Sequence, residues 1–382
     1  MKITDVRIVY SRKPIVLAEP WRPAFWEPDV EPWKSTRFDF FEILTDEDIK
    51  GIGPSLYFSS LSPTYLKFIK KALIGSDPFY VAKFWETYMS GRTDVPGSLG
   101  GVDTALWDIV GKALGVPVCR LFGVYRQKIP AYVATAQLHS PDEHAKEAVY
   151  YRDNGVQAIK LRLHRPNHED DLRVVEAVKD AVGDDMMIMV DANQNNLAPN
   201  YNYWSRKTAM WMARKLDALD VFFLEDPLPL GDTAGLKQLA DAVDMAISGG
   251  EHARDIYHFR DLLFSGAFDT VQPDVILGNP GLGMTGMRRV AEIAQSVGRL
   301  IIPHVYTGGV CGLALAATLQ VLASVKNCSY VEYPLEPPSL TVENQHGLLK
   351  EPILIEKDGY VRVPQLPGIG VEINEEYINE YL

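Results

Sequence analysis

Hydrophobic and polar positions change their pattern near residue 130. Before that point, the spacing of apolar residues predicts three strands, at residues 1–10, 38–44 and 51–53. Helices are predicted after them, at residues 62–90 and 100–114. The segment 14–35 is rich in Pro and Trp and shows neither a helical nor a strand period, so it is predicted to be irregular, with its aromatic residues either anchoring it by packing or covering a ligand. Strands that precede helices in this way predict an α+β domain over residues 1–126.

From residue 130 onward, short apolar strands alternate with helical stretches. Strands are predicted at residues 132–136, 158–163, 187–190, 221–224, 245–248, 270–271, 300–302 and 329–331. Helices are predicted between most of them, clearest at residues 144–154, 170–182 and 208–219. Eight repeated units of this length predict a (β/α)8 barrel over residues 127–338. The tail, residues 339–382, has strand-like pieces at 353–355 and 360–362 and is expected to return to the N-terminal domain.

Charged and polar side chains follow the predicted barrel strands at intervals of 23 to 34 residues. They are Lys160 with Arg162, Asp191 with Asn193, Glu225, Glu251, Gln272 with Asp274, His304 and Glu332. The carboxyl ends of the strands of a barrel converge on one mouth, where barrel enzymes place their active sites. The pattern therefore predicts an active site built from seven consecutive strands.

Three of these residues, Asp191, Glu225 and Glu251, are acids on neighbouring strands. At a barrel mouth they would repel one another unless they were protonated or bound a metal. Oxygen ligands without cysteine favour a hard cation, and Mg²⁺ is expected. The alternative is a chance set of acids facing solvent or helix N-termini. The sequences LEDP and SGGEH disfavour it, because each acid comes directly after an apolar strand.

His304 follows the apolar run LIIP, and Asp274 ends the strand before it. A lone histidine at such a place is more often structural. A carboxylate bonded to one imidazole nitrogen, however, fixes the tautomer and raises the basicity of the other nitrogen. The pair is therefore predicted to act as a general base. Glu332 is either a solvated acid or, beside a metal and a bound anion, a protonated donor to the substrate.

Composition and charge disfavour some classes of binding partner and indicate the cellular compartment. With 38 Lys and Arg against 50 Asp and Glu, the net charge is −12, a poor match to nucleic acid or to an anionic membrane. The three cysteines, Cys119, Cys311 and Cys328, form neither a disulfide framework nor a CxxC pair. The N-terminus lacks the apolar run of a signal peptide, and no run of about 18 apolar residues occurs. A cytoplasmic protein is expected.

Taken together, these motifs resemble the enolase superfamily and, within it, the mandelate racemase subgroup. The motifs that carry the resemblance are KLR at 160–162, VDANQ at 190–194, LEDP at 224–227, GGEH at 249–252, QPD at 272–274, PH at 303–304 and VEYP at 331–334. ALWDIVGKALGVPV at 105–118 also looks like the segment that leads into the barrel of that family. The resemblance implies a capping α+β domain, formed by the N-terminal part and the C-terminal tail, over a modified TIM barrel.

The resemblance also assigns roles to the candidate residues. It implies that Asp191, Glu225 and Glu251 bind Mg²⁺ and that Asp274 and His304 form the catalytic dyad. Glu332 and Lys160 would hold the carboxylate of the substrate. It further implies a homo-oligomer, for which an octamer is one candidate.

One residue departs from the racemases that this subgroup contains. They carry Lys-x-Lys on the second barrel strand, and the second lysine is the base on the opposite face of the substrate, where this chain has Arg162. A guanidinium, with a pKa above about 12, is a poor base near neutral pH. A one-sided base suits loss of water, so we expect a dehydratase of an acid sugar, an aldonate such as gluconate, galactonate, arabinonate or xylonate. A racemase or epimerase of a 2-hydroxy acid is the alternative.

Two further hypotheses compete with this one. Residues 281–286 match the GxGxxG pattern of a dinucleotide site, but Asn279 and Pro280 separate them from the strand, and no acid lies near position 306 to bind a ribose. A binding protein without catalytic activity would be favoured only if a metal ligand or the dyad histidine were missing. Substrate specificity is expected from the aromatic segment around Trp26, from residues 57–60 beginning at Tyr57, and from Gln137, His139 and Asn193.

Overall fold

The computed structural model describes residues 1–26, 29–56, 63–92, 99–195, 203–278 and 280–382. The strands of its N-terminal part are β1 (Ile3–Tyr10), β2 (Ile15–Trp21), β3 (Trp33–Thr36), β4 (Asp39–Thr45) and β5 (Lys50–Pro54). The helices of this part are α1 (Pro63–Leu73), α2 (Val81–Tyr88), α3 (Gly100–Leu114) and α4 (Val118–Phe122). Strands β1, β4 and β5 form an antiparallel sheet in that order, which confirms the predicted first strand and hairpin.

Helix α3 lies directly on strand β5. A Cβ atom on Gly53 would stand 1.9 Å from the carbonyl oxygen of Gly101, and one on Gly51 would stand 2.2 Å from that of Ala105. Glycine at these positions therefore lets the helix backbone approach the strand. The apolar residues of α1 to α3 pack with Ile3, Val6 and other sheet residues into a core separate from that of the barrel.

The expectation that residues 14–35 lack regular structure was wrong. Strands β2 and β3 pair with each other as an antiparallel ribbon. Ile15, Leu17 and Trp21 are buried on one face, whereas Val16 between them is 73% exposed. An apolar residue on the solvent face removes the polar half of the alternation, so the strand period cannot be seen in the sequence.

Eight parallel strands form the second part of the chain. They are β6 (Lys128–Ala134), β7 (Ala158–Arg162), β8 (Met187–Asp191), β9 (Phe223–Glu225), β10 (Ala246–Gly249), β11 (Thr270–Val271), β12 (Leu300–Ile301) and β13 (Val331–Pro334). The helices between them are α5 (Pro141–Asp153), α6 (His168–Val182), α7 (Arg206–Asp217), α8 (Thr233–Ala240), α9 (Ile256–Ser265), α10 (Gly283–Ser296) and α11 (Cys311–Leu322). The strands follow one another around the sheet, with β13 next to β6. A parallel bridge between Ile301 and Cys328 joins the two ends, so the predicted barrel is confirmed.

A small apolar plug fills the barrel below its mouth. It contains Tyr132, Ala134, Ala158, Met189, Phe223 and Ile302, which all point into the ring. Such interior layers make a barrel a packed core rather than a pore. The polar residues at the carboxyl ends of the strands therefore rest on a closed floor.

The C-terminal tail contacts both parts of the molecule. It contains α12 (Val342–His346), β14 (Tyr360–Arg362) and α13 (Glu375–Tyr381). Strand β14 pairs antiparallel with β6 of the barrel, and the predicted piece at 353–355 makes only an isolated bridge at Ile355. On the N-terminal side, Ile369 N donates to Asp108 Oδ1 at 2.8 Å, and Arg12 N and Lys13 N donate to the carbonyl of Tyr381. The division at residues 126 and 338 stays a prediction. Within the part of the chain that the structure describes, no helix combines the length and apolar character needed to cross a membrane.

Candidate active site at the barrel mouth

The strand register places the first candidate residues at one height of the barrel. Arg162 on β7 pairs with Asp191 on β8, and Asp191 pairs with Glu225 on β9. In a parallel sheet, residues that pair directly point to the same face. The three side chains therefore share one row at the mouth, and Lys160 lies one inward position below Arg162.

Lys160 is the fully buried cation at the centre of the mouth. Its Nζ lies 2.7 Å from Glu225 Oε2, 2.9 Å from Glu332 Oε1 and 3.9 Å from Asp191 Oδ2. Burial opposes its charge, but the negative charges of Glu225 and Glu332 outweigh that effect and hold the pKa of Lys160 well above its usual value. Lys160 is therefore a permanent positive charge shared by three carboxylates.

Arg162 is held in place from two sides. Its Nη1 donates to Asp191 Oδ2 and, at 3.2 Å, to Asn193 Oδ1, and its Nε donates to the carbonyl of Thr135 at 2.7 Å. Burial opposes its charge, but Asp191 and other acids raise the pKa of Arg162 further above its already high value. The guanidinium is thus a fixed cation and not a proton acceptor at neutral pH.

Asn193 donates two hydrogen bonds to the neighbouring acid, Asp191. Its backbone N donates to Asp191 Oδ1 at 2.7 Å and its Nδ2 donates to Asp191 Oδ2 at 2.9 Å. Its Oδ1 also lies 2.9 Å from His164 Nε2, and burial lowers the pKa of His164 to about 4, so that ring is neutral. In this arrangement Asn193 orients Asp191, and its predicted contact with the substrate stays a prediction.

Two of the carboxylates at the mouth, Glu225 and Asp191, have too little positive charge beside them to offset their burial. Burial, and then repulsion from Asp191, raise the pKa of Glu225 to about 7. Burial also raises the pKa of Asp191, although Arg162 and Lys160 oppose the rise. Glu225 Oε1 is buried and accepts no hydrogen bond from the described residues. An additional cation in this cluster would satisfy both the charge and the unpartnered oxygen.

The donor set fits a hard divalent cation, although its side chains do not yet converge on one point. No group of three or more His, Cys, Asp or Glu side chains within the described ranges is arranged to hold a metal as it stands. Lys160, Arg162 and His304 each bind one of the three acids instead. Asp191, Glu225 and Glu251 offer oxygen donors only, from three adjacent strands, which is the chemistry that Mg²⁺ prefers.

His304 and Asp274 form a tight pair on the other side of the mouth. His304 Nδ1 lies 2.6 Å from Asp274 Oδ2, and its Nε2 lies 3.2 Å from Glu251 Oε2. Asp274 is fixed because its Oδ1 accepts from the backbone of Ile276 at 2.6 Å and of Leu277 at 3.0 Å. Burial opposes the charge of the ring, but Glu251, Glu332 and Asp274 raise the pKa of His304 to about 10. The ring therefore points Nε2 toward the acids with its orientation set by Asp274.

Glu332 connects the two sides. Its Oε1 contacts Lys160, and its Oε2 accepts from Val305 N at 3.2 Å, directly after His304. Burial raises its pKa, but Lys160, His304 and Arg162 outweigh burial and leave the pKa below its usual value. Glu332 is therefore buried and ionised in this arrangement, and the protonated form, one of the two alternatives from the sequence, needs a further negative charge, such as a bound substrate carboxylate.

A cavity of about 620 Å³ adjoins the mouth on the side of β6 to β8. Trp26 and Gln137, both expected to contact the substrate, lie on its walls with His164, Gln194 and Trp204. Tyr57 and residues 58–60, the other predicted specificity segment, lie outside the described residues. The cavity begins one residue beyond Arg162 and Asn193, so it can receive the part of a substrate that is remote from the charged cluster.

Gly283 of the GxGxxG match serves packing between the two parts of the molecule. Gly283 begins α10, and a Cβ there would stand 2.5 Å from Asp103 Oδ2 of helix α3. Asp103 accepts from Thr285 N at 2.9 Å and from Thr285 Oγ1 at 2.7 Å, so it caps the N-terminus of α10. A carboxylate already occupies the place that a pyrophosphate would take in a dinucleotide site.

Several residues around the mouth could not be identified from the sequence. Thr135 holds Arg162 through its backbone carbonyl, which no side-chain pattern indicates. His252 Nε2 lies 3.0 Å from Glu251 Oε1, and its place directly after Glu251 was the available signal. Glu336 receives hydrogen bonds from Trp21, Ala136 and Gln137. Its place just beyond the motif VEYP was the corresponding signal, but the partners lie too far away in sequence to suggest the contact.

Two family models and several known proteins match this chain. Residues 15–123 match the family model "Mandelate racemase / muconate lactonizing enzyme, N-terminal domain", and residues 143–377 match "Enolase C-terminal domain-like". The chain is 30% identical over 352 residues to arabinonate dehydratase from Saccharolobus solfataricus, covering 89% of each chain. It is also 30% identical over 317 residues to 3,6-anhydro-alpha-L-galactonate cycloisomerase from Streptomyces coelicolor, covering 81% of this chain and 80% of the relative.

A solved structure extends the similarity to the whole fold. L-talarate dehydratase from Polaromonas sp. JS666, complexed with Mg and L-glucarate, superimposes with a TM-score of 0.81 at 28% identity. The match covers 100% of this chain and 97% of that one. Relatives at this level of identity catalyse different reactions, so the reaction has to be argued from the site.

Proposed function

Because the chain belongs to the enolase superfamily, in its mandelate racemase subgroup, we propose that it is a Mg²⁺-dependent dehydratase that converts an acid sugar into a 2-keto-3-deoxy acid. The observation that carries the proposal is the asymmetry of the mouth. A carboxylate-oriented imidazole, His304, faces the acids from one side, and a guanidinium that cannot act as a base, Arg162, lies on the other. Aldonates are the substrate class that we favour, as for the arabinonate dehydratase relative.

Asp191, Glu225 and Glu251 would hold the metal. When bound, Mg²⁺ supplies positive charge where negative charge develops on the substrate carboxylate. Lys160 is placed to stabilise the same charge because it lies among these acids and is permanently protonated. Glu332 is within reach of Lys160 and, once an anion raises its pKa, can donate a hydrogen bond to the carboxylate.

His304 would remove the proton on the carbon next to the carboxylate. Asp274 fixes the ring so that Nε2 faces the substrate. Glu251 contributes most to the raised pKa of His304, and Glu251 would no longer hold the proton on His304 once it ligates the cation. The neutral ring can then accept the α-proton, and the electron pair left on carbon delocalises into the carboxylate as an enediolate.

Loss of water follows from the same residues. The enediolate expels the hydroxyl group from the neighbouring carbon, and the protonated His304 is the acid that returns the proton to it. The resulting enol tautomerises to the 2-keto-3-deoxy acid. A racemase would need a second group able to deliver a proton from the opposite face. Arg162, held by Asp191, Asn193 and the carbonyl of Thr135, does not supply one.

A screen of sugar acids tests this proposal. The purified protein is incubated with Mg²⁺ and a library of aldonates and aldarates, and 2-keto-3-deoxy acids are detected by their semicarbazones. We expect at least one aldonate to be dehydrated, with no product in excess chelator. A library that yields no keto-deoxy acid, while one 2-hydroxy acid is epimerised, would replace the proposal with the racemase alternative.

A further inference from the structure

The ribbon formed by β2 and β3 lies over the barrel mouth without joining either of the larger sheets. Its two strands pair only with each other within the described residues. Its buried residues Leu17 and Trp21 form a small apolar cluster with Ala136 and Leu340, next to the carboxyl end of β6. The ribbon also carries the segment with Trp26, one wall of the cavity beside the mouth. Side-chain contacts and one backbone hydrogen bond, from Ala24 N to the carbonyl of Ala136 at 2.7 Å, therefore set its position in place of a strand ladder.

The side chain of Glu336 joins this ribbon to the barrel. Its Oε2 accepts from Trp21 Nε1 at 2.7 Å. Its Oε1 accepts from the backbone of Ala136 at 3.1 Å and of Gln137 at 2.9 Å, just after β6 ends. The carboxylate is 2% exposed and thus bridges the ribbon, the first barrel strand and the segment after β13.

The chemistry of these contacts requires an acid. All three hydrogen bonds come from neutral N–H groups, and the imidazole Nε2 of His139 lies farther away, 4.0 Å from Glu336 Oε1. Burial of the carboxylate raises the pKa of Glu336, and the N–H groups of Gln137, Trp21 and Ala136 oppose that rise. A carboxylate accepts hydrogen bonds at both oxygens, so it can serve donors on two sides at once. Glutamine cannot do this, because its NH₂ group would face either the indole N–H or the two backbone N–H groups.

Glu336 is connected to both sides of the cavity. Trp21 packs against Trp33 with ring centroids 5.3 Å apart, and Trp33 packs edge-on against Trp26 with centroids 5.0 Å apart. Gln137, whose backbone N is bound by Glu336, lines the cavity from the barrel side. A shift of the Glu336 contacts would therefore move Trp26 and Gln137 relative to each other.

We propose that Glu336 is a positioning residue for substrate selection. It fixes the ribbon and Gln137 over the mouth and so sets the space for the end of the acid sugar that is remote from the reacting carboxylate. This rests on the proposed function, because the cavity is taken to hold that end of the substrate. Glu336 contacts none of the reacting groups, so its effect falls on binding and on chain-length preference and not on the chemical step.

Three variants and one control variant test the proposal, with arabinonate and galactonate, a five-carbon and a six-carbon aldonate, as probes. In Glu336→Gln the donor–donor conflict displaces the ribbon, so we expect KM to rise about tenfold with kcat nearly unchanged, and the preference between the two sugars to shrink. Trp21→Phe should also raise KM and reduce the preference between the two sugars, but by less than Glu336→Gln does. In Trp21→Phe with Glu336→Gln the NH₂ group faces an apolar ring, so KM should fall below that of Glu336→Gln alone.

Asp108→Asn is the control, since Asp108 is a buried acid away from the mouth that accepts from Ile52 N and Ile369 N and also pairs with Lys112. It should lower the melting temperature without changing KM or the preference between sugars. The proposal is overturned if Glu336→Gln lowers kcat instead of raising KM. It is also overturned if the KM values of Glu336→Gln for the two sugars match those of Asp108→Asn. Should Glu336→Gln fail to fold, Trp21→Phe decides by the same two criteria.

Hydrogen exchange separates this proposal from the proposed function. In Glu336→Gln, peptides covering residues 15–26 and 134–139 should exchange faster, and in Asp108→Asn they should not. If the native protein dehydrates no sugar acid, the proposed function has failed, and the exchange data alone decide whether Glu336 holds the ribbon. Unchanged exchange in both segments would overturn the positioning role regardless of activity.

Discussion

Replacing His304 with Asn is expected to abolish dehydration while the fold and Mg²⁺ binding persist. Asparagine cannot accept a proton from carbon, and loss of a general base typically lowers the rate by about 10² to 10⁴. His304 is 16% exposed and has two polar partners, Asp274 and Glu251, so an amide of smaller size can be accommodated at the edge of the mouth.

The measurement is kcat on the sugar acid that the screen identifies, with circular dichroism and Mg²⁺ titration as checks on the fold. Asp274→Asn is the comparison variant. It should lose less activity, because it disturbs the tautomer and basicity of His304 without removing the ring. Near-normal turnover by His304→Asn would show that another group removes the proton.

The second large effect is expected for Glu225→Gln. Glu225 is one of three oxygen donors for the cation and carries the unpartnered buried Oε1. An amide retains one oxygen but no charge, and it leaves Lys160, 2.7 Å from Glu225 Oε2, with less compensation. We expect Mg²⁺ affinity to fall by more than about 100-fold and activity to fall with it.

Metal content after dialysis and calorimetric titration with Mg²⁺ measure this loss. Asp108→Asn serves again as the buried-acid control, and it should bind Mg²⁺ as the native protein does. Unchanged metal content in Glu225→Gln, or full activity of the native protein after exhaustive chelation, would contradict the assignment of the metal ligands.

The residues at the mouth could be predicted because the barrel repeats itself along the chain. Each βα unit returns the chain to the same end of the sheet. A polar residue directly after an apolar strand is therefore placed at the barrel mouth. That reasoning located Asp191, Glu225, Glu251 and His304 without knowledge of their contacts. It could not predict which cation each acid binds, because that depends on side-chain reach between strands.

The ribbon over the mouth could not be predicted from the sequence in this way, for two physical reasons. Val16 is apolar but exposed, which hides the strand period of β2. The contact that anchors the ribbon joins Trp21 to Glu336, which are 315 residues apart in the chain. Periodicity describes neighbours along a strand or helix and carries no information about such a pair. The same limit applies to Arg162, whose fixed position depends on a backbone carbonyl.

The central claim is that proton removal occurs from one face only, by His304, and leads to loss of water. The most direct test incubates a single C2 epimer of the substrate with the native enzyme and Mg²⁺ in D₂O and follows the proton NMR spectrum. The account predicts formation of the 2-keto-3-deoxy acid, while recovered substrate keeps its configuration at C2, with or without exchange of the α-proton. Appearance of the deuterated opposite epimer at a rate comparable to product formation would contradict it, because a proton would then have been delivered from the side of Arg162.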